Sequence, residues 1–473
     1  MQANQYKHWA VALENKDRRP AYLMIADMIA ADIDKGTLQA RDKLPPLREL
    51  ASLLNLDYTT VARAYKEARG RGLIDSHPGT GSFIKGRTNA FSLRGGSNIE
   101  MTMNLPPEPR TPSLLDKIGL GFSSLVDNRD IYTLFRYQDF GGTEADKQAG
   151  LKLLSPFISR ANAEQILVCP GIHSALVALL SLLVTEGSGV CVQSLVYPGL
   201  KAIAAQLDIK LYSIDSDSDG PIIRFMEDLC KTENISVIYL NPTLQNPTTH
   251  TFSRARRESI ADLALRYSIP IIEDDAYAVL PENPVSPIAN LAPELTYYIT
   301  GLAKYFGAGV RTAYLYVPSK LHAQRTAGAL RALSVMSSPI TNALATRWIM
   351  DGSLDQMALE IRTESRGRQA LAQKHLKKHK YFAHPDGFHL WIQLPKSIEL
   401  NPSVVAAHLR SQNVSVVSSA AFCTDNNPVP ALRMCLGGSL SRWECEESLL
   451  LVADILEHPS HLTGVVCKPK QSN

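Results

Sequence analysis

Apolar residues follow different rhythms in successive parts of the chain. Between about Pro20 and Lys85 they recur at helical spacing. Tyr22, Ile25, Ile29 and Ile33 mark one buried stripe. Leu47, Leu50, Ala51 and Leu54 mark a second, on a helix that opens near Pro46 and turns Arg48 outward. Asn55-Leu56 reads as a tight turn and Asp57 as the N-cap of a third helix. Its inner stripe is Val61, Ala64 and Ala68, and its outer face carries Tyr58, Thr59, Ala62, Arg63 and Lys66. Gly72 stops it, and Leu73-Ile-Asp, His77-Pro-Gly-Thr-Gly and Ser82-Phe-Ile then read as a two-stranded wing. From Gly86 the chain turns polar and glycine-rich, the composition of a linker. Beyond Asn104, apolar β-type runs such as Ile166-Leu-Val, Val190-Cys-Val, Val237-Ile-Tyr-Leu and Ile269-Pro-Ile-Ile alternate with helical patterns. That alternation predicts an α/β domain, with a mostly parallel sheet covered by helices on both faces.

The length, 473 residues, also calls for two or more domains. We expect a helix-turn-helix module over 15–85, a linker over 86–103 and the α/β domain over 104–465. A net charge of +3 does not imply nucleic acid, so a DNA-binding surface must be a local patch. Arg63, Lys66, Arg69 and Arg71 form such a cluster, with Glu67 opposing them. Seven scattered cysteines, with no CxxC pair, argue against a disulfide framework or a zinc site and fit a reducing cytoplasm. The amino terminus lacks an apolar signal core, and the longest apolar stretch, Ala175 to Val184, is too short to span a bilayer. The expectation is a soluble intracellular protein.

Candidate chemistry gathers at strand ends. Lys304 follows the apolar run from Tyr298 and precedes a glycine-rich turn, and Arg311 lies seven residues on. A sheltered amine that can form an imine, beside a cation for a phosphate, is what a pyridoxal phosphate (PLP) site needs. Ile271-Ile-Glu-Asp274-Asp-Ala-Tyr277 ends another strand with an acid and a phenol three residues apart. An ionised aspartate keeps a pyridine nitrogen protonated, and a phenol can bond the ring oxygen. Asn246 could donate to the same oxygen. Singly, each has a plain structural reading as a solvated lysine or strand-end turn chemistry. Together, in this order, they point to one site.

In the amino-terminal region, Leu44-Pro-Pro-Leu-Arg-Glu-Leu-Ala, Asp57-Tyr-Thr-Thr-Val-Ala-Arg-Ala-Tyr and Gly79-Thr-Gly-Ser-Phe-Ile resemble the GntR-type winged helix-turn-helix across nearly all of residues 18–85. A helix presenting hydroxyls and an arginine suits the major groove. Arg63 could reach guanine edges, while Thr59, Thr60 and Arg48 could hold phosphates. Tyr58 on the helix, with His77 and Gly79 of the wing, completes the expected DNA-binding set. The family commonly has arginine where Tyr58 stands.

From about Asn104 to Leu456 the chain resembles the fold-type I aminotransferases. The resemblance implies that Lys304 carries the internal aldimine and Arg311 the phosphate. It puts Asp274 at the pyridine nitrogen, with Tyr277 and Asn246 at the ring oxygen. Tyr197 would stack on the ring, and the Gly171-Ile172-His173 turn would cradle the phosphate. Tyr137 matches a tyrosine lent between subunits of a homodimer, and Arg433 an arginine that clamps a substrate or effector carboxylate. A small carboxy-terminal α+β subdomain, from about 345 to 465, would include Gly387-Phe-His-Leu-Trp-Ile. The family often has hydroxyls where Gly301, Ala303 and Ile172 stand, so weaker phosphate capture is implied. Gly301 could also hold a dihedral that a serine would find strained.

The two modules in one chain resemble the MocR subgroup of GntR regulators. The expected function is a cytoplasmic regulator that binds a double-stranded DNA operator. Its aminotransferase-like domain would sense PLP, or an amine or amino-acid effector. The rival reading is a working aminotransferase with an accessory DNA-binding module. A cofactor-free dimerisation domain fits poorly with the retention of Lys304, Asp274 and Arg311.

Overall fold

The computed structural model describes residues 6–14, 19–34, 37–38, 42–77, 81–84, 103–126, 131–395, 401–425 and 429–462. The expected linker, apart from Met103, and the wing residue Gly79 lie outside the described residues, as does the side chain of His77. The chain divides into two compact units, Met1–Ser97 and Asn98–Asn473.

In the first unit, helices Ala21–Asp34, Leu47–Leu54 and Tyr58–Gly70 follow the apolar stripes. Ile25, Ile29, Leu50, Leu54, Val61, Ala64 and Ala68 are buried in one core. Asn55 adopts φ 52°, the left-handed turn that separates the two helices of the reading motif. Asp57 occupies the expected N-cap position with extended backbone, and its side chain makes no capping hydrogen bond. Tyr65, which the stripe left out, is also buried and donates its hydroxyl to the Pro45 carbonyl at 2.8 Å. The wing is an antiparallel pair, Ile74–His77 with Gly81–Ile84. A helix not foreseen from the sequence, Lys7–Glu14, buries Trp9 in the same core, and the indole nitrogen donates to Asp32 at 2.8 Å. Its stripe is too short to stand out as a period.

The second unit is built on a seven-stranded sheet. Its order is Ile166–Cys169, Ala313–Tyr316, Thr296–Gly301, Ile271–Asp274, Ile235–Leu240, Gly189–Gln193 and Lys210–Ile214. Neighbours are parallel except at Ala313–Tyr316, which runs against both of its partners. Inner strands such as Ile271–Asp274 are buried at every position, as expected when helices cover both faces. Parallel pairing brings Asp274 opposite Ile299, so the carboxyl ends of these two strands open on one edge. Ligands bind at that edge in open α/β sheets. A second sheet, antiparallel, takes the order Tyr381–Ala383, His389–Gln393, Ala431–Cys435 and Val417–Ser418. The 24-residue helix Ser353–Leu376 and the helix Arg442–Glu457 share a hydrophobic core with it. Among the described residues no helix is long and apolar enough to cross a membrane, no cluster could hold a metal ion, and the cysteines are free thiols.

Candidate functional site

A pocket opens at the strand edge of the second unit, lined by Ile172, His173, Tyr197, Asn246, Asp274, Tyr277, Lys304 and Arg311, together with Asn241, Ala303 and others. Residues as far apart in sequence as Ile172 and Arg311 thus meet in one cavity. Two residues of the expected set are not among those lining it. Arg433 is buried next to Asn246 and donates to its Oδ1 at 3.3 Å. Tyr137 is 83% exposed and is not part of the lining.

Lys304 ends the short turn Leu302–Lys304 that follows strand Thr296–Gly301. Burial, aided by the positive Arg433, lowers its ammonium from 10.5 to about 8. Its Nζ donates to the backbone carbonyl of Asn104 at 2.6 Å. Near physiological pH such a lysine is still mostly ammonium, but it releases a neutral, nucleophilic amine far more readily than an ordinary lysine does.

Asp274 is buried at the end of its strand. Tyr239 donates to Oδ2 at 2.8 Å, whereas Oδ1 is buried with no hydrogen-bond partner. Burial raises the carboxyl from 3.8 to about 6 in spite of the Tyr239 bond. A buried carboxylate short of a partner calls for a cationic N–H, and a protonated pyridine nitrogen provides one. Tyr277 accepts from Asn104 Nδ2 at 2.6 Å, and burial pushes its hydroxyl well up, so it stays a phenol able to donate. Asn246 presents Oδ1 to Arg433, which leaves Nδ2 as its donor. Its backbone amide is held by Asn241, whose Nδ2 in turn donates to the Asp274 carbonyl at 2.7 Å.

Arg311 and the start of helix Ile172–Leu183 make an anion cradle. Gly171 precedes the helix at φ 94°, a conformation that favours glycine, and a Cβ there would meet the Arg311 guanidinium at 3.5 Å. The first amides of the helix have no partner within it, so they can face an anion. Burial and Arg311 lower the His173 pKa, which favours a neutral ring beside the arginine. Gly301 is extended, with φ −154°, and a Cβ there would lie 3.1 Å from Ile172 Cγ1 and 3.3 Å from Ala313 Cβ. The backbone strain expected for a serine at Gly301 is therefore absent. What limits a side chain there is the bulk of Ile172. An amine, an unpaired buried acid and an anion cradle lining one pocket fit a phosphorylated pyridine aldehyde.

Tyr239, Asn241 and Asn104 belong to this site and were not singled out in the sequence. Tyr239 sits inside an apolar run read as buried strand. Asn241 is adjacent to a proline and reads as turn chemistry. Asn104 marked the start of the domain and nothing more.

In the first unit, Arg48, Tyr58, Thr59 and Arg63 are exposed and Thr60 is half-buried. The Arg63 guanidinium lies over the Tyr22 ring, 4.4 Å from its centre. Arg71 is tied to Glu67 at 2.8 Å and also to Asp27 at 2.5 Å. The basic cluster is therefore opposed by two acids rather than by Glu67 alone. His77 ends the first strand of the wing.

Residues 122–449 match the family model described as aminotransferase class I and II. The chain belongs to that family. Residues 21–84 match a second model, bacterial regulatory proteins of the gntR family. The combined architecture is that of MocR-type proteins. Bacillus subtilis YdeF, described as an uncharacterized HTH-type transcriptional regulator, is 28% identical over 467 residues, covering 97% of this chain and 99% of that protein. The vitamin B6 salvage pathway transcriptional repressor PtsJ of Salmonella typhimurium is 25% identical over 372 residues, covering 78% and 84%. Among solved structures, an archaeal alanine:glyoxylate aminotransferase superposes with TM-score 0.70 at 20% identity, covering 77% of this chain and 92% of that one. The α-aminoadipate aminotransferase LysN of Thermus thermophilus superposes with TM-score 0.69 at 18% identity, covering 77% and 94%. These likenesses establish the aminotransferase fold of the second unit.

Proposed function

We propose that this chain is a cytoplasmic, homodimeric transcriptional regulator that binds a double-stranded DNA operator through its first unit and PLP through its second. It senses PLP, or an amine or amino acid, at Lys304. The observation that carries the reading is the unpaired, buried Oδ1 of Asp274 in a pocket that also holds Lys304 and Arg311, within a chain that bears a gntR-type segment. A transcriptional regulator that matches 97% of the chain, and so both units, supports it, and so does the similarity to a repressor of a vitamin B6 salvage pathway.

When bound, the cofactor supplies an aldehyde that reacts reversibly with amines and a ring that withdraws electrons. The chain's own residues do the rest. Asp274 binds the pyridine nitrogen, Tyr277 and Asn246 donate to the ring oxygen, and Tyr197 covers the ring. Arg311 and the amides of Ile172 and His173 hold the phosphate. Arg433 offers a planar fork to an effector carboxylate. Tyr137, exposed on its own subunit, reaches the partner's phosphate.

Purified protein given PLP should gain absorbance above the protein band, and borohydride followed by peptide mapping should fix the label at Lys304. Fixation elsewhere, or none, would remove the reading. Binding to genomic operator fragments should then change when PLP or candidate amines are added. A second reading, turnover as an aminotransferase, draws on Lys304 being held near 8, where it can give or take a proton. Repeated transamination with a keto-acid acceptor would favour that alternative.

A further inference from the structure

Asn104 touches two of the pocket's chemical groups at once. Its backbone carbonyl accepts from Lys304 Nζ at 2.6 Å, and its side-chain Nδ2 donates to the Tyr277 hydroxyl, also at 2.6 Å. The residue is 6% exposed, and its Oδ1 is buried with no hydrogen-bond partner. The segment that carries it is fixed to the small sheet's end of the unit. Pro107 bridges to Gly438, the Gly438 amide donates to the Pro106 carbonyl at 2.9 Å, and Cys435 Sγ donates to the Leu105 carbonyl at 3.5 Å. A side chain at Gly437 would collide with that same carbonyl, so the segment passes as close as backbone allows.

A phenol has one proton to give. While Tyr277 accepts from Asn104, that proton is left for another acceptor, and the ring of Tyr277 lines the cofactor pocket. A hydrogen bond donated to the cofactor's ring oxygen shares the negative charge that would otherwise hold a proton on the neighbouring nitrogen supplied by Lys304. We propose that Asn104 is a positioning residue: by donating to Tyr277, it turns the phenol into a donor toward the cofactor's ring oxygen and so lowers the proton affinity of the Lys304 nitrogen in the loaded protein. The inference rests on the reading of Lys304, Asp274 and Tyr277 as the PLP site.

The test is a pH titration of the bound cofactor's visible absorbance in wild type, Asn104→Asp, Tyr277→Phe and the double variant. An aspartate at 104 can only accept, so it draws the Tyr277 proton away from the pocket. Its midpoint should rise by about one pH unit or more. Tyr277→Phe should also raise the midpoint, and the double variant should rise no further than the larger single change. An unmoved midpoint in Asn104→Asp, or shifts that simply add, would overturn the role of Asn104. Should Asn104→Asp fail to fold, Asn104→Ala, which removes the donor without adding charge, should move the midpoint the same way by less and show the same non-additivity with Tyr277→Phe. A wild type that shows no bound-cofactor band would overturn the PLP reading itself, an outcome distinct from the other two.

Discussion

Tyr239 and Asp274 sit on neighbouring parallel strands, and the phenol donates to Oδ2 of the carboxylate at 2.8 Å while Oδ1 stays buried and unpaired. One good hydrogen bond does not offset complete burial, and the carboxyl is pushed from 3.8 to about 6. The folded chain therefore holds this proton more tightly than the unfolded chain. The stabilisation is full below about pH 4 and is lost as pH rises through about 6. The loss is on the order of 3 kcal/mol, because each tenfold change in proton affinity corresponds to roughly 1.4 kcal/mol. Without cofactor, wild type should lose stability relative to Asp274→Asn as pH rises from 4 to 8, measured by urea unfolding of the second unit. A gap that stays constant across that range would contradict the account.

The phosphate end of the pocket gives a prediction with an internal control. Ala303→Ser adds a hydroxyl beside Lys304 and should tighten PLP by about tenfold, since a hydrogen bond to a charged group contributes ~1.5–3 kcal/mol at best. Gly301→Ser alone should gain little, because its Cβ would press on Ile172 at 3.1 Å. Paired with Ile172→Ala it should recover the gain. A spectroscopic PLP titration of the four proteins checks this, and equal affinities throughout would mean that other groups already fill the cup.

The Arg63 guanidinium lies over the Tyr22 ring, a platform that favours one orientation of this exposed group. Arg63→Ala should cost ~1–3 kcal/mol at the preferred operator if it reads a base edge. Tyr22→Leu keeps the arginine but removes its platform, and should cost ~0.5–1 kcal/mol. Arg48→Ala should weaken all sequences alike and lower the salt slope by about one. Fluorescence anisotropy at several salt concentrations separates these outcomes. Unchanged binding by Arg63→Ala would mean that another face meets DNA.

Arg257 and Glu273 are both wholly buried, with Nη1 and Oε1 3.5 Å apart. The Glu273 oxygens also accept from the Ile288 and Ala289 amides at 3.0 and 2.9 Å. Arg257 Nη2 donates to the Pro242 carbonyl at 3.1 Å, next to the turn that carries Asn241. Arg257→Met leaves a buried carboxylate without its cation and should destabilise the second unit by ~3–5 kcal/mol in urea unfolding. Arg257→Met with Glu273→Gln should recover part of that loss. A double variant no better than the single one would assign the effect to the arginine's bonds with Pro242 instead.

Much of the fold was legible because burial imposes periods on a chain. Ile25 and Ile29, or Val61 and Ala64, announce helices by spacing alone, and the unbroken run Ile271-Ile announces a strand buried on both faces. The short helix around Trp9 escaped, since eight residues hold barely two turns of pattern. At Asp57 the cap position was legible and the bond was not. A residue type suited to capping stood in the right place and still made no cap bond.

Within the site, the sequence by itself determined which chemical groups were available. Lys304, Asp274, Tyr277 and Arg311 are recognisable because each stands at a strand end or turn where a reactive side chain can reach a cavity. What tertiary structure alone decided is which group meets which. Asn104 reaches Lys304 from 200 positions away, and Tyr239 reaches Asp274 from 35. Neither contact has a local signature, because a side chain's period records only whether it is buried. Its partner is fixed by the packing of strands brought together from distant parts of the chain. The same packing sets the charge states, since burial moves Lys304 to about 8 and Asp274 to about 6. It also filled the space beside Gly301 with Ile172, which no reading of either residue alone could have assigned.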